Sequence, residues 1–281
     1  MDAPTSILRA PLPPPTPPSD QDGAAAGPRT PMMRAFAVLA VLFAVLAVAW
    51  TCFTAVDLLA RRTYHTTNSY PVVGALDLQT GDANVTIVPD ATDRIVVDRT
   101  VRRGLVRVVD HDVERDGTLV IDDGCHRIFS WTCSMTITIH TPVQLTIQGR
   151  LADGNFHDQG TTGALSLSTG DGDIDLTQVT GAVTLHTGNG DIATHAVTSP
   201  AVSISSGDGD ISLELANAPQ QIRINTGDGD VNACLPGDTP PYAVTTHTGN
   251  GQLDNQLPTS PTADHVLAVS AGDGDIHLHL C

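Results

Sequence analysis

Apolar and polar residues alternate along most of the chain after residue 72, and a short glycine phrase interrupts the alternation at regular intervals. In residues 164–168 (Ala-Leu-Ser-Leu-Ser) and 174–176 (Ile-Asp-Leu), every second side chain is aliphatic. A period of two predicts β-strands that have one buried face and one solvated face. The pattern therefore predicts two short strands in each repeat, one on either side of the glycines.

The glycine phrase reads Ser, Thr or Ala, then Gly-Asp/Asn-Gly-Asp/Gln, then an aliphatic residue. Six full copies occupy residues 169–174, 187–192, 206–211, 226–231, 248–253 and 271–276, and decayed copies occupy 80–85 and 152–156. From residue 152 onward the copies recur every 18 to 23 residues. A period of this length is typical of stacked repeats.

A single repeat cannot bury its own apolar face, so repeats stack at the strand spacing of about 4.8 Å. The sequence predicts an all-β fold, a β-solenoid with coils of about 18–23 residues. We assign the glycines to tight turns that need positive φ angles. The predicted inward residues are Leu167, Ile174, Leu185, Ile192, Ile204, Ile211, Ile224 and Val231, and the predicted outward residues are Ser166, Asp175 and Ser212.

The chain before the repeats predicts three further segments. Residues 1–33 are rich in proline and predict a disordered cytoplasmic tail. Residues 34–60 predict a transmembrane signal anchor, because Ala35–Val56 is an apolar run of 22 residues without a charge. A cleaved signal peptide is the alternative, with a small-residue site at 47–49. Residues 61–71 predict a polar stalk, and 72–281 the extracytoplasmic solenoid domain.

Cysteine spacing indicates the compartment. Cys125 and Cys133 suit a disulfide-closed loop, and disulfides need an oxidising environment. We therefore expect a single-pass protein of the cell membrane, with its N-terminus cytoplasmic and its C-terminal domain outside; two unpaired thiols are the alternative. Cys234 and Cys281 are a weaker candidate pair. Stacking in chain order would separate them by two coils, roughly 9–10 Å, beyond the usual disulfide reach of about 7 Å.

The charge balance limits the partners. The chain has 31 acidic residues against 14 basic ones, all of them arginine, and a net charge of −17. This charge excludes a sequence-independent nucleic-acid binder and argues against docking on anionic lipid beyond the anchor. Five arginines lie between residues 94 and 110, whereas only Arg150 and Arg223 follow Gly149. Either alternating strands simply place polar residues outside, or the arginine-rich strands face a partner or the acidic turns.

Stacked copies of the phrase would align carboxylates in rows, where they could gather cations. The candidate Ca²⁺ ligands are Asp171, Asp173, Asp208, Asp210, Asp228, Asp230, Asp273 and Asp275. Oxygen ligands next to glycine suit Ca²⁺, but Asp between glycines is first of all a turn residue. The rows also contain uncharged residues, Asn189, Asn250 and Gln252, which lower their negative charge. We therefore favour a scaffold role and expect no cofactor. His186 and His247 precede the two Asn turns, by coincidence or as a pH-sensitive pair.

Three features together carry a family resemblance: the Thr-Pro step within 135–147, the upstream Cys125 and Cys133, and the tandem glycine phrases. Residues 72–280 resemble the bacterial "putative adhesin" β-strand-repeat domain, a family of unknown function in envelope proteins. The resemblance implies a membrane-anchored β-solenoid with no catalytic residues to carry over. An accessory or sensor role in envelope-stress signalling is the alternative that it implies.

No Gly-x-Ser-x-Gly motif, zinc-spaced cluster or phosphate loop is present in the sequence. A β-helical polysaccharide lyase or hydrolase is therefore the least favoured alternative, and we predict that the protein is not an enzyme. The prediction is an adhesin-like module for binding or spacing. Its expected contacts are the membrane, through one helix, and a cell-wall glycan or an envelope protein.

Overall fold

The computed structural model describes residues 31–103, 108–125 and 133–281. Most of the predicted Pro-rich tail, residues 1–30, lies outside these ranges. One helix, α1 (Pro31–Leu59), precedes the strands. Its segment Phe36–Val56 has 21 residues, a mean hydropathy of 2.6 and no buried residues, so by length and composition it could cross a membrane.

All other elements within the described residues are strands, and they number 21. The first group contains β1 (Arg62–Pro71), β2 (Ala75–Thr80), β3 (Ala83–Pro89), β4 (Arg94–Arg103), β5 (Val108–Arg115), β6 (Thr118–Cys125) and β7 (Ser134–Thr141). The regular coils follow as β8 (Thr146–Leu151), β9 (Phe156–Asp158), β10 (Leu165–Thr169), β11 (Ile174–Thr177), β12 (Val183–Thr187), β13 (Ile192–Val197), β14 (Ala201–Ser206), β15 (Ile211–Leu215), β16 (Gln221–Thr226) and β17 (Val231–Leu235). The last group is β18 (Tyr242–Thr248), β19 (Leu253–Asn255), β20 (His265–Ala271) and β21 (Ile276–Leu280).

The strands form two sheets, and each coil contributes one strand to each sheet. Sheet A has the order β1-β4-β7-β3-β9-β11-β13-β15-β17-β21-β19, and sheet B has the order β18-β20-β16-β14-β12-β10-β8-β2-β6-β5. A glycine turn leads from sheet B to sheet A, and a return turn leads back to the next strand of sheet B. Neighbouring coils pair in parallel and in register, as Ile174 with Ile192 and Ile192 with Ile211. The predicted β-solenoid is confirmed.

Aliphatic side chains from both sheets fill the space between them. All eight residues predicted to point inward are buried, among them Ile211, whereas Ser166 and Ser212 are exposed and Asp175 is half-buried. The predicted register is therefore correct. It follows from the two-residue period, because a shift by one residue would expose the whole aliphatic set.

The coils at the C-terminal end do not stack in chain order. The last coil, β20 and β21, lies between β16/β17 and β18/β19. The expectation of sequential stacking is wrong here, because the connection from β19 to β20 is long enough to return past the end coil. Cys234 on β17 consequently lies beside Cys281, which directly follows the adjacent strand β21, and the two form a disulfide with 5.5 Å between their Cα atoms. The predicted separation of two coils is also wrong.

The coils at the N-terminal end also do not stack in chain order. The first coil, β2 and β3, lies between β6/β7 and β8/β9, and antiparallel strands complete the end. Strand β4 pairs with β7, β1 pairs with β4, and β5 pairs with β6. The predicted stalk, residues 61–71, is wrong because residues 62–71 form β1. This strand covers the hydrogen-bonding edge of β4, which would otherwise be unpaired.

Candidate functional site

The glycine turns stack directly on one another, and this contact explains why they contain glycine. A Cβ atom built on Gly209 would lie 1.9 Å from the carbonyl oxygen of Gly190, and one on Gly190 would lie 2.1 Å from that of Gly172. Positive φ angles occur at glycines of other turns, such as Gly117 and Gly181, and none is found within a described full copy of the phrase. The predicted reason for glycine, a positive φ, is wrong. Close approach of successive backbones is the cause.

The hydroxyl at the start of the phrase fixes each turn to the coil before it. Thr187 Oγ1 accepts a hydrogen bond from the Gly190 N–H at 3.0 Å and donates one to the Gly172 carbonyl at 3.2 Å. Ser206 makes the same two bonds one coil further on. Both side chains are buried, and five of the six full copies have Ser or Thr here. The sequence interpretation missed this role of the hydroxyl. A Ser or Thr three residues before the second glycine is the sequence feature that could have indicated it.

The second acidic position of the phrase forms a continuous hydrogen-bonded row, which we call the Asx ladder. At each step a side-chain oxygen accepts a bond from the backbone N–H of the equivalent residue in the neighbouring coil, at 2.7–3.0 Å. In spatial order the ladder contains Asn84, Asn155, Asp173, Asp191, Asp210, Asp230, Asp275 and Gln252. Four of the candidate calcium ligands thus each have one oxygen engaged with backbone.

The first acidic position forms a second row, whose residues are exposed. In spatial order it contains Asp171, Asn189, Asp208, Asp228, Asp273 and Asn250. Asn189 Nδ2 donates to Asp171 at 2.6 Å, and Asn250 Nδ2 donates to Asp273 at 2.7 Å. The amides therefore bond the neighbouring carboxylates. Across residues 31–103, 108–125 and 133–281, no group of three or more His, Cys, Asp or Glu side chains is arranged to hold a metal ion.

A buried ionic network joins the two sheets near the N-terminal end. Arg99 on β4 is 2% exposed, and its Nε donates to Asp123 Oδ2 at 2.7 Å. A terminal nitrogen of Arg99 also forms a salt bridge with Asp112, which accepts a hydrogen bond from the Tyr70 hydroxyl. Burial lowers the pKa of Arg99, but the two aspartates outweigh it and raise that pKa. Burial and the bond to Asp112 raise the pKa of Tyr70 to about 12.

The sequence interpretation missed this network. Its signal is that Arg99 continues the inward alternation of Ile95, Val97 and Val101. The arginine pairs with carboxylates on β5 and β6 of the opposite sheet, and not with the acidic turns further along the solenoid.

Of the predicted Cys125–Cys133 pair, the structure describes the side chain of Cys133 alone. Cys133 is disulfide-bonded. The side chain of Cys125 lies outside the described residues, so the pairing stays a prediction.

The outer face of sheet B differs in charge from the outer face of sheet A and from the glycine turns. Its seven strands from β8 to β18 contain no Asp or Glu, although 16 acidic residues follow Gly149. The outward side chains are mainly Ser, Thr, Asn and Gln, together with Arg150, Arg223, His186 and His247. His186 Nδ1 lies 2.8 Å from Ser205 Oγ. We call this surface, the outer side of these seven strands, the sheet B face.

These features define a two-sheet β-solenoid whose stacked glycine turns are bound together by the Asx ladder. Residues 73–279 match the family described as Toastrack DUF4097, and the chain belongs to this family. This result confirms the resemblance drawn from the sequence. No curated protein has a significant match to the chain.

Two solved structures serve for comparison. A "putative adhesin" from Bacteroides fragilis is 17% identical, with 78% of this chain and 97% of that chain covered and a TM-score of 0.49. A "putative cell adhesion protein" from Clostridium sporogenes is 10% identical, with 78% and 100% covered and a TM-score of 0.42. At these values neither similarity assigns a function to this chain.

Proposed function

We propose that this protein is a single-pass membrane protein of the cell envelope whose solenoid serves as an adhesin-like binding module without catalysis. The observation that carries the proposal is one apolar helix of membrane-spanning length, followed by a disulfide-bonded repeat domain. A disulfide between Cys234 and Cys281 favours an oxidising compartment, and so supports a C-terminal domain outside the cytoplasm.

The stacked coils suit presentation and binding. Each coil contacts its neighbours through parallel strands, glycine turns and the Asx ladder, so the stacked coils present long continuous faces. Such faces contact extended partners well, whereas catalysis needs a unique cluster of groups at one point. The resemblance to adhesin-like envelope proteins points in the same direction.

Topology and binding can be tested together on the full-length chain in bacterial cells. Protease added to intact spheroplasts should remove a C-terminal tag and spare an N-terminal tag, and both tags should fractionate with membranes before digestion. The solubilised chain should then be retained by isolated envelope material.

Three results would contradict the proposal. A protected C-terminal tag would reverse the orientation. Release of a mature chain without its N-terminal tag would identify a cleaved signal sequence, and absence of envelope retention would exclude the binding role.

A further inference from the structure

Charge is distributed unevenly around the solenoid, and the sheet B face is where the carboxylates are missing. The 16 acidic residues after Gly149 lie on the turns and on sheet A, and none lies on β8, β10, β12, β14, β16, β18 or β20. In a chain with a net charge of −17, this gap creates one surface that does not repel an anion.

The only two arginines after Gly149, Arg150 and Arg223, are both on this face. Both are exposed, and neither forms a salt bridge or hydrogen bond within the part of the chain that the structure describes. Arg99, in contrast, is buried between Asp112 and Asp123. The guanidinium groups of Arg150 and Arg223 are therefore free to bind a carboxylate or phosphate in bidentate geometry.

The strand register places the basic residues at a regular spacing along the solenoid. At outward positions Arg150 is on β8, His186 on β12, Arg223 on β16 and His247 on β18, so an outward basic residue occurs at every second strand of sheet B. Arg223 lies in the row next to that of Arg150, because it pairs with Ser203 and not with Ser205. Two strand spacings correspond to about 10 Å, and the seven strands span roughly 29 Å. No small molecule reaches from Arg150 to Arg223, about 19 Å apart by the same spacing. The spacing fits a long ligand that runs across the strands.

Between these basic residues the face offers hydrogen-bonding groups in rows. The row in register with Arg150 continues as Ser168, His186, Ser205, Asn225, Ser270 and His247. Two shallow depressions lie along it, of about 620 Å³ beside Arg150 and about 360 Å³ beside Arg223. Val266 is the one large aliphatic side chain exposed on these strands at an outward position. A protein partner would need apolar or aromatic anchors in such a surface.

We propose that the sheet B face binds a linear acidic polysaccharide that lies along the solenoid axis. Arg150 and Arg223 pair with its carboxylates, and the Ser, Thr and Asn side chains between them bond its hydroxyl groups. Neighbouring basic residues are two strand spacings apart, about 10 Å, which is longer than one sugar ring. This distance therefore matches acidic groups on alternate sugars. Two arginines are too few for a nucleic acid, whose phosphates occur at every nucleotide. This inference rests on the proposed binding function and names its ligand class.

The test uses the full-length chain in nanodiscs and two immobilised glycans, hyaluronate, which carries a carboxylate on alternate sugars, and neutral dextran. Wild type should bind hyaluronate in a salt-sensitive manner and should not bind dextran. Arg150→Ser and Arg223→Ser should each weaken binding about 3- to 10-fold, and the double variant should lose it. Arg102→Ser, which removes an exposed arginine of β4 outside this face, is the matched control and should bind like wild type.

The outcomes separate this inference from the proposed function. Equal binding by the double variant and wild type, or equal binding to dextran and hyaluronate, would overturn it. Retention on envelope material without hyaluronate binding would overturn the ligand class and leave the binding function in place. Unchanged thermal melts of all four arginine variants would show that folding is not the cause of a loss, since these side chains are exposed.

Discussion

Replacing a stacked turn glycine by alanine tests the reason why the phrase contains glycine. In Gly209→Ala the new Cβ would lie 1.9 Å from the Gly190 carbonyl oxygen. Real Cβ atoms essentially never come within 3.0 Å of such an atom. The obstacle is backbone, which cannot rotate away, so the two coils must separate by about 1 Å at this turn.

The separation breaks hydrogen bonds between the coils. Three of the bonds near this position are Asp210 N–H to Asp191 at 2.9 Å, Ile192 N–H to the Asp210 carbonyl at 2.9 Å, and Asp208 N–H to the Gly188 carbonyl at 3.0 Å. An increase to roughly 4 Å removes all three, at about 1 kcal/mol each. Reduced entropy of the unfolded chain offsets about 0.4–1 kcal/mol. We expect the free energy of unfolding to fall by about 2–3 kcal/mol.

Gly81→Ala is the control, at the first glycine of a phrase where Gly209 is the second. This glycine belongs to a decayed copy of the same phrase, and its Cβ would meet nothing closer than 3.7 Å. The substitution should be neutral or stabilise the domain by up to about 1 kcal/mol.

The assay is thermal unfolding of the full-length protein, followed by far-UV circular dichroism. Gly209→Ala should lower Tm by roughly 5–10 °C, since a domain of this size loses about 2–4 °C per kcal/mol. If both alanine variants melted within a degree or two of each other, backbone contact would not be the reason for glycine.

Four further predictions concern the core, the disulfide, the buried network and the acidic rows. Ile211→Ala should cost about 2–5 kcal/mol, and Ser212→Ala under about 0.5 kcal/mol, in the same melts; equal effects would contradict the register. Cys281→Ser should lower the free energy of unfolding by about 2–4 kcal/mol under oxidising conditions. Under reducing conditions the variant and the wild type should be equally stable. Arg99→Ala should cost about 3–5 kcal/mol, because it removes the guanidinium that neutralises two buried carboxylates; a mild effect would show that water reaches the network. Removal of Ca²⁺ with a chelator should shift Tm little, whereas a shift of several degrees that Asp210→Asn abolishes would restore the metal hypothesis.

The coil itself could be predicted from the sequence, because its signals are local. Alternation at Ile211 and Ser212 decides which side chain is buried, and any other register would expose the aliphatic residues. The glycine phrase marks where each strand ends. Such signals repeat in every coil, so they describe a coil without stating which other coil lies beside it.

The order of the end coils could not be predicted for that reason. All copies of the phrase are compatible with all others, and only the tertiary structure shows that β21 pairs with β17. A weak signal was present in the polar residues at inward positions of the end coil. Thr246 and Asn255 align with Val269 and Leu278 of the neighbouring coil. Polar residues at such positions indicate a coil with one side open to solvent.

The candidate site was predicted in part. The sequence assigns these aspartates to turns, in which Asp bonds backbone N–H groups nearby in the chain. The N–H that Asp210 reaches instead belongs to Asp230, in the next coil. A partner 20 residues away depends on how the coils are stacked, which local turn preferences do not determine. The uneven charge of the sheet B face likewise required the strand order, since Arg150 and Arg223 are 73 residues apart in sequence.

The out-of-order coils at both ends limit how such a domain can change in length during evolution. A duplicated repeat added at either terminus would have to displace a coil that is already paired on both sides, and at the C-terminal end it would also separate the disulfide partners. A repeat inserted between β9 and β16 meets the same glycine turn, hydroxyl and Asx ladder on both sides. The most uniform repeat lengths, 18 to 20 residues, occur in that interior. Lineages of this family should therefore differ in the number of interior coils while they keep both ends.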